Sequence, residues 1–498
     1  MRFTRRSILQ AAAAAPALAL GTAAPKSFQP AWESLKQFQC PEWFRDAKFG
    51  IWAHWGPQCV PEQGDWYARN MYIEGSPQYQ WHAAHYGHPS KFGYKDILPL
   101  WKAEKFDPEN LLRRYQAAGA KYFVSMGVHH DNFDIWNSKH HPWNAARVGP
   151  KKDIVGLFAR AARNHGLRFG VTEHLERSYS WFNVNKGADK QGPHQGVPYD
   201  GNDPKYESLY FPKHDDTNSR YPKNPPDWWK RQWARRITDL VDQHRPDLLY
   251  TDGAVPFGEV GRGLLAHYYN ANMKQHGGAL EAVYTLKKPN DDEHGEYVEG
   301  IGVRDIERGV VDDIYSAPWQ TDTCIGTWYY NRGIQYKTAR IVIHMLADIV
   351  SKNGNLLLNF PLRPDGTLDP EEDQVLEAIT GWMRVNGEAI HATRPWRIFG
   401  EGPSRQEKSG HFNERNFKGY TASDFRFTMK GKTLYAICMG WPEKQMVIAS
   451  LAGQASVARV EMLGLKGPLQ WSRTDRGLVV EMPREKPCDY AAALRISL

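Results

Sequence analysis

Between about Lys48 and Pro361, short apolar runs alternate with stretches whose apolar positions recur at helical spacing, the pattern of repeated βα units. Phe49-Gly50-Ile51-Trp52-Ala53-His54 reads as a first strand, and Asp107-Pro108 opens a helix through Ala118 with proline in its first turn. Strands follow at 121–128 and 168–172, separated by a helix over 151–165. A helix over 227–244 precedes the run Pro246-Asp247-Leu248-Leu249-Tyr250-Thr251, one over 259–276 precedes a strand at 282–284, and one over 338–352 precedes a strand at 355–360. So many strand–helix pairs predict an α/β chain whose catalytic part is a (β/α)8-type barrel with insertions. An open doubly wound sheet is the alternative, but the glycine-rich phosphate loop that would support it is missing. Residues 183–226 are rich in Gly, Pro and Asp, and a loop that long is expected to be functional or disordered. After a helix at 370–386 the texture changes. Runs such as Phe425-Arg426-Phe427-Thr428-Met429 alternate and are parted by Gly-rich turns, predicting a small C-terminal antiparallel β-sandwich. The expected division is 1–24 signal peptide, 25–392 barrel and 393–498 sandwich.

In a parallel barrel the chemistry lies at the C-terminal ends of the strands. There the pattern delivers His54, His129-His130, Glu173-His174, Asp252 and Glu307 to one rim. Asp252 ends an apolar run and is followed by Gly253, which lets a ligand approach, so it is a candidate nucleophile or general base. An Asp that caps the next helix would fit the same local pattern. Each histidine taken singly also fits a satisfied polar residue of the rim. Together, histidines able to bond hydroxyls and two carboxylates describe a sugar pocket with acid/base capability. His129 and His130 would point to opposite faces of a regular strand, so both reach one ligand only if the strand has ended or bulged there.

Composition narrows the classes. The chain has 498 residues, with 63 Lys+Arg against 56 Asp+Glu, a surplus too mild and too dispersed for nucleic-acid binding. Nineteen Trp residues suit stacking on sugar rings as well as core packing. Arg5-Arg6-Ser7-Ile8-Leu9 followed by an Ala/Leu run to Leu20 resembles a twin-arginine export signal, so a periplasmic or secreted protein is expected. That run is too short for a stable span, and none is expected in the mature chain. The five cysteines are scattered and show no metal or disulfide spacing. No metal and no organic cofactor is expected.

Four segments in order resemble the family 29 glycoside hydrolases, the α-L-fucosidases. Phe49 to Gly56 is similar to the family's FGxFxHWG first strand, and Gly64-Asp65-Trp66-Tyr67-Ala68-Arg69-Asn70-Met71-Tyr72 to its W-Y-x-R-N-M-Y segment. Lys121 to Asp131 resembles its strand ending in H-H-D, and Lys352 to Asn359 its last-strand signature. The resemblance implies Asp252 as nucleophile and a fucose subsite lined by His54, Trp66, His129 and His130, with Asp65 nearby. It also implies Glu307 as acid/base, with Glu173, Glu176 and Glu299 as rivals, because the loops that carry this residue vary. Trp328 would offer apolar surface to the sugar's methyl group or pack in the core.

Two departures stand out. Thr172-Glu173-His174-Leu175-Glu176 replaces a Tyr-Tyr-Ser-Gly-Gly type segment, so His174 would stand in for a hydroxyl donor, and Tyr284-Thr285-Leu286-Lys287-Lys288 replaces an Asp-Arg-Trp type. The implied partner is a fucosylated oligosaccharide or glycoconjugate, and a homo-oligomer is compatible with the chain. Competing readings are a retaining glycosidase for a related sugar such as a galactoside, a metal-dependent barrel hydrolase built on the histidines, and a sugar-binding protein without catalysis.

Overall fold

The computed structural model describes residues 27–289, 295–404, 409–417, 419–453 and 457–498. The expected signal peptide lies outside them. Eight parallel strands close a barrel in chain order: β1 (Phe49–Ala53), β2 (Tyr122–Val128), β3 (Arg168–Glu173), β4 (Leu248–Thr251), β5 (Val283–Lys287), β6 (Val303–Asp305), β7 (Trp319–Cys324) and β8 (Gly354–Asn359). Closure is made by β8 against β1, with Phe49 opposite Leu356 and Ile51 opposite Leu358. Strands β1, β2, β4 and β8 are buried along their whole length. That is why they read as apolar runs rather than as an alternation.

Six long helices follow strands on the outside: α1 (Pro108–Ala117), α2 (Ile154–Asn164), α3 (Asp227–His244), α4 (Glu259–Gln275), α5 (Ala339–Ser351) and α6 (Pro370–Asn386). The expected helix at 151–165 begins at Ile154 because the Asp153 carboxylate accepts the Gly156 N–H at 2.8 Å, stopping the helix with an N-cap. Asp369 and Glu372 close a capping box at the start of α6. Among the described residues no helix joins β5 to β6 or β6 to β7. The strand–helix repeat is therefore incomplete on that side.

Strands β6 and β7 escaped the pattern because they are polar. Part of their polar surface is paired across the barrel: Tyr122 Oη donates to Gln320 Oε1 at 2.9 Å, and Gln320 Nε2 donates to Asp305 Oδ1 at 2.9 Å. The stretch 183–226, expected to be a loop, folds into short helical turns. Its Asp200 accepts hydrogen bonds from Tyr72 and from Tyr210 of the same segment, both at 2.7 Å, and the Tyr72 bond pins the segment to the β1–β2 connection.

The C-terminal part holds two antiparallel sheets. One has five strands, β9 (Arg394–Glu401), β10 (Phe425–Lys430), β11 (Thr433–Cys438), β13 (Arg459–Met462) and β16 (Ala492–Ser497), in the order β13-β16-β11-β10-β9. The other is β12 (Gln445–Ile448), β15 (Gly477–Glu481) and β14 (Trp471–Thr474). Phe427, Leu434, Ile448, Leu478, Val480 and Ile496 are among the residues that form their own core. All five cysteines are unpaired, three of them buried. Among the described residues no helix is long and apolar enough to cross a membrane.

Candidate active site

Each barrel strand hands its last residues to one cleft. Strand β1 ends at Ala53, and the next residue, His54, has its N–H fixed by Asn359 Oδ1 at 2.7 Å. Asn359 Nδ2 also donates to the Trp328 carbonyl at 2.9 Å, so one amide at the end of β8 ties the main chain of both residues. Strand β2 stops at Val128 after a register shift against β3 between Met126 and Val128. His129 and His130 therefore escape the strict alternation of a strand, and their rings lie 4.3 Å apart. His174 follows β3 and completes the group, with ring centroids 5.1 Å from His129, 5.4 Å from His130 and 5.4 Å from His54.

All four rings are buried. Burial, with mutual repulsion between neighbouring imidazoles, pushes His54, His129 and His130 well below the usual histidine range. Burial also lowers His174 despite the adjacent carboxylate. Two tautomers are set by outer partners, since His130 Nδ1 bonds the His174 carbonyl at 2.6 Å and His129 Nδ1 meets Gln58 Nε2 at 2.9 Å. Among the described residues both ring nitrogens of His54 and Nε2 of His174 lack a hydrogen-bond partner, while His174 Nδ1 faces Asp252 Oδ2 at 3.4 Å. A row of neutral imidazoles with free nitrogens suits hydroxyl groups, which both donate and accept.

Asp252 follows β4 and is almost fully buried, 8% exposed. Lys287 Nζ, from the end of β5, donates to its Oδ1 at 2.7 Å. Arg177 Nη2 lies 3.2 Å from its Oδ2, His174 Nδ1 3.4 Å and His130 Nε2 3.7 Å. Burial alone would raise the carboxyl. The Arg177 and Lys287 cations, with His174, reverse that and hold Asp252 well below the usual carboxylate range.

Glu307 stands two residues beyond β6, and its Oε2 accepts from the same Lys287 Nζ at 2.6 Å. Burial raises its carboxyl; Lys287 works against this, while Asp322 and Asp252 add to it. Because one ammonium touches both groups, the facing oxygens of Asp252 and Glu307 are held within the roughly 5.5 Å that separates the carboxyl groups of retaining glycosidases. The two carboxyls are shifted in opposite directions, Asp252 down and Glu307 up, the pattern that separates a nucleophile from an acid.

Asp65 reaches His129 Nε2 at 3.9 Å, and recession into the cleft raises its carboxyl, helped by Glu307 and Asp252. Trp66 adopts a left-handed backbone (φ 62°) and sets its ring edge-on to His130 at 6.2 Å. Such strain in a non-glycine residue persists where surrounding contacts over-determine it. Trp328 is half-buried, 5.5 Å from His54 and 5.2 Å from Trp52.

Of the rivals to Glu307, Glu176 lies near the nucleophile candidate, sharing Arg177 with Asp252 at 3.4 and 3.2 Å. Glu173 accepts from Trp233 Nε1, Thr251 Oγ1 and the Leu175 N–H, bonds that bind β3 to β4 and α3. Glu176 is buried beside Glu173, and burial with that neighbour raises it well above the carboxylate range. Glu299 is exposed and bonds Tyr297 and Tyr315. Lys287 and Arg177 were not singled out from the sequence as site residues. A lysine ending an otherwise apolar strand was the available signal for the first, and Arg177 gave none.

Ligand atoms of His129, His130 and His174 lie within 4.8 Å of one another, as do those of His54, Asp65 and His129. Either set is near enough to gather on one ion. Their nitrogens also meet the nucleophile candidate, and two fixed cations stand within bonding distance of that carboxylate. The donor set therefore matches a hydroxylated ligand beside a carboxylate.

Known proteins resemble this chain over nearly its whole length. Residues 17–388 match the model of the α-L-fucosidase family, and residues 418–497 that of an α-L-fucosidase C-terminal domain. The chain is 30% identical over 488 residues to human plasma α-L-fucosidase, covering 94% of this chain and 92% of the relative. It is 29% identical over 476 residues to human tissue α-L-fucosidase, covering 93% and 89%. The fold superposes on a Thermotoga maritima α-fucosidase crystallised with a mechanism-based inhibitor, with a TM-score of 0.73 at 25% identity, covering 95% of this chain and 100% of that one.

Proposed function

The chain belongs to the α-L-fucosidase family of glycoside hydrolases, and from that premise we propose an exo-acting, retaining enzyme that releases terminal α-L-fucosyl residues from oligosaccharides or glycoconjugates. The observation that supports this reading is the bridge Asp252–Lys287–Glu307, with contacts of 2.7 and 2.6 Å, which sets a carboxyl held low and a carboxyl pushed up on one ammonium, their facing oxygens no more than roughly 5.5 Å apart. In the first step an Asp252 oxygen bonds to the anomeric carbon while the bond to the leaving oxygen breaks and Glu307 gives that oxygen its proton. In the second, Glu307 takes a proton from water as the water oxygen bonds to the anomeric carbon and Asp252 departs. The charge bookkeeping suits both steps. Asp252 contributes to keeping Glu307 protonated. Once Asp252 is esterified that contribution disappears, so Glu307, having given up its proton, is favoured in the ionised form that acts as base.

His54, His129, His130 and His174 would bond the sugar hydroxyls as neutral rings, with Asp65 beside them. Trp66 and Trp328 would face the apolar side of the sugar. Lys287 and Arg177 keep the nucleophile ionised and stabilise the charge that returns to it when the ester breaks. None of these steps uses a metal. Turnover is therefore expected to survive dialysis against a chelator, and loss restored by one metal would refute this.

The first-formed product distinguishes the mechanism. Proton NMR of early turnover should show α-L-fucose before mutarotation, and initial β-L-fucose would rule out retention. A panel of aryl glycosides should favour the fucoside, and preference for the galactoside would reassign the sugar. We also propose the division 25–392 and 393–498, and twin-arginine export to the periplasm or outside. Changing Arg5-Arg6 to Lys-Lys should strand the protein in the cytoplasm, whereas unchanged export would contradict that route.

A further inference from the structure

We propose that Ser409–Glu414, a segment from beyond the barrel, is a strap that fixes the acid/base loop, with His411 as a positioning residue for Glu307. The inference rests on Glu307 being the acid/base. Both main-chain groups of Glu307 are taken by this strap. Its N–H donates to His411 Nδ1 at 2.9 Å, and its carbonyl accepts from the Phe412 N–H at 2.9 Å. The residues that follow are tied in the same way. Gly410 N–H donates to the Val310 carbonyl at 3.1 Å, Val310 N–H to Asn413 Oδ1 at 3.2 Å, and Asp312 N–H to Ser409 Oγ at 2.9 Å.

At its end the strap is anchored to the barrel by a buried carboxylate. Glu414 accepts from Arg308 Nε at 2.7 Å, from Thr323 Oγ1 of β7 at 2.7 Å and from Lys337 Nζ at 3.1 Å. The approach is close enough that a Cβ on Gly309 would lie 2.0 Å from the Gly410 carbonyl oxygen. Arg308 and Phe412 both hold left-handed backbones, φ 47° and 56°. Non-glycine residues keep that conformation where the surroundings enforce it, and here each lies within the strap–loop contact.

The loop needs such support for a topological reason. Among the described residues no helix joins β5 to β6 or β6 to β7, so the elements that brace loops elsewhere in the barrel are missing at Glu307. Lys287 grips the carboxylate of Glu307, and the strap grips its backbone. His411 can accept an N–H only as the neutral ring with a bare Nδ1. Burial and the nearby Lys287 cation favour that form. The tail would thus complete the active site rather than merely cover the barrel.

The test compares His411→Ala, His411→Asn and His411→Gln with Glu307→Ala, each on 4-nitrophenyl α-L-fucoside and on a fucosyl oligosaccharide. Only the second substrate needs its leaving oxygen protonated. Displacing Glu307 should therefore cost His411→Ala about tenfold or more in kcat/KM on the oligosaccharide, with little change on the aryl substrate. Asn places an oxygen near the position of Nδ1 and should restore most of the loss, whereas Gln, one bond longer, should not. If the Ala variant fails to fold, the contrast between Asn and Gln decides on its own. Equal losses on both substrates, or Asn and Gln behaving alike, would overturn the strap. If Glu307→Ala is selective and the His411 variants are not, the strap alone fails. If Glu307→Ala is unselective, the acid/base reading and the strap fall together.

Discussion

Lys287 places one ammonium between two carboxyls that must differ in protonation. Its contacts with Asp252, Asp322 and Glu307 raise its own pKa well above the ordinary lysine value, although burial opposes this. The same charge lowers both Asp252 and Glu307. The acid limb of kcat/KM follows Asp252, which must be ionised, and the alkaline limb follows Glu307, which must be protonated. Lys287→Met removes a positive neighbour from each, so both pKa values rise and the whole pH profile should move to higher pH. At the optimum a loss of about 10²-fold is expected, the scale for deleting one preorganised electrostatic contact. A profile that keeps its limbs while only its height falls would show that Lys287 does not set these ionisations. The histidines and Asp252 were legible because strand ends point at chemistry in this fold. Lys287 was not, since Lys287-Lys288 in one dimension looks like a solvated turn. It faces the nucleophile only once β5 pairs with β4, Tyr250 opposite Thr285.

Elements were readable where burial made them apolar or periodic and unreadable where the interior is polar. Helix α3 spans Asp227–His244 and α6 spans Pro370–Asn386, as their spacing foretold. Strand β6 is three residues, Val-Arg-Asp, and β7 is Trp-Gln-Thr-Asp-Thr-Cys. Neither alternates or clusters hydrophobically, because their polar side chains serve contacts such as Gln320–Asp305, Thr323–Glu414 and Tyr250–Asp322. Helix α5 carries a different message: Lys352, just past its C-terminus, and Asp348 form a buried pair at 2.9 Å. Arg426 of β10 closes on the other oxygen of Asp348 at 2.5 Å, joining the sandwich to the barrel. Arg426→Ala leaves Asp348 paired with Lys352 but strips the donor from its buried Oδ1, so it should destabilise the protein by about 1–3 kcal/mol in denaturant unfolding. Aryl fucoside turnover by the fraction that remains folded should stay close to wild type. A loss below about 1 kcal/mol would mean that water replaces the pair.

At the scale of the whole molecule, the barrel gathers residues from eight strands into one cleft, the sandwich packs on α5 and α6 through Arg426–Asp348 and the Trp382 indole on the Ala491 carbonyl, and the segment between β9 and β10 reaches the rim at Glu307. The sequence pattern foretold both domains and their order. It did not foretell that the tail would reach the rim, because contacts between segments so far apart leave no periodicity. The account depends on Asp252 forming the covalent bond. Asp252→Ala should fold, lose turnover and recover some with azide, which fits the space left by the carboxylate. The most direct measurement is to trap the enzyme with a slow 2-fluoro-fucosyl donor, digest it and locate the added sugar by mass spectrometry. The label is expected on Asp252, and a label on any other carboxylate, or none while the enzyme is inactivated, would contradict the account.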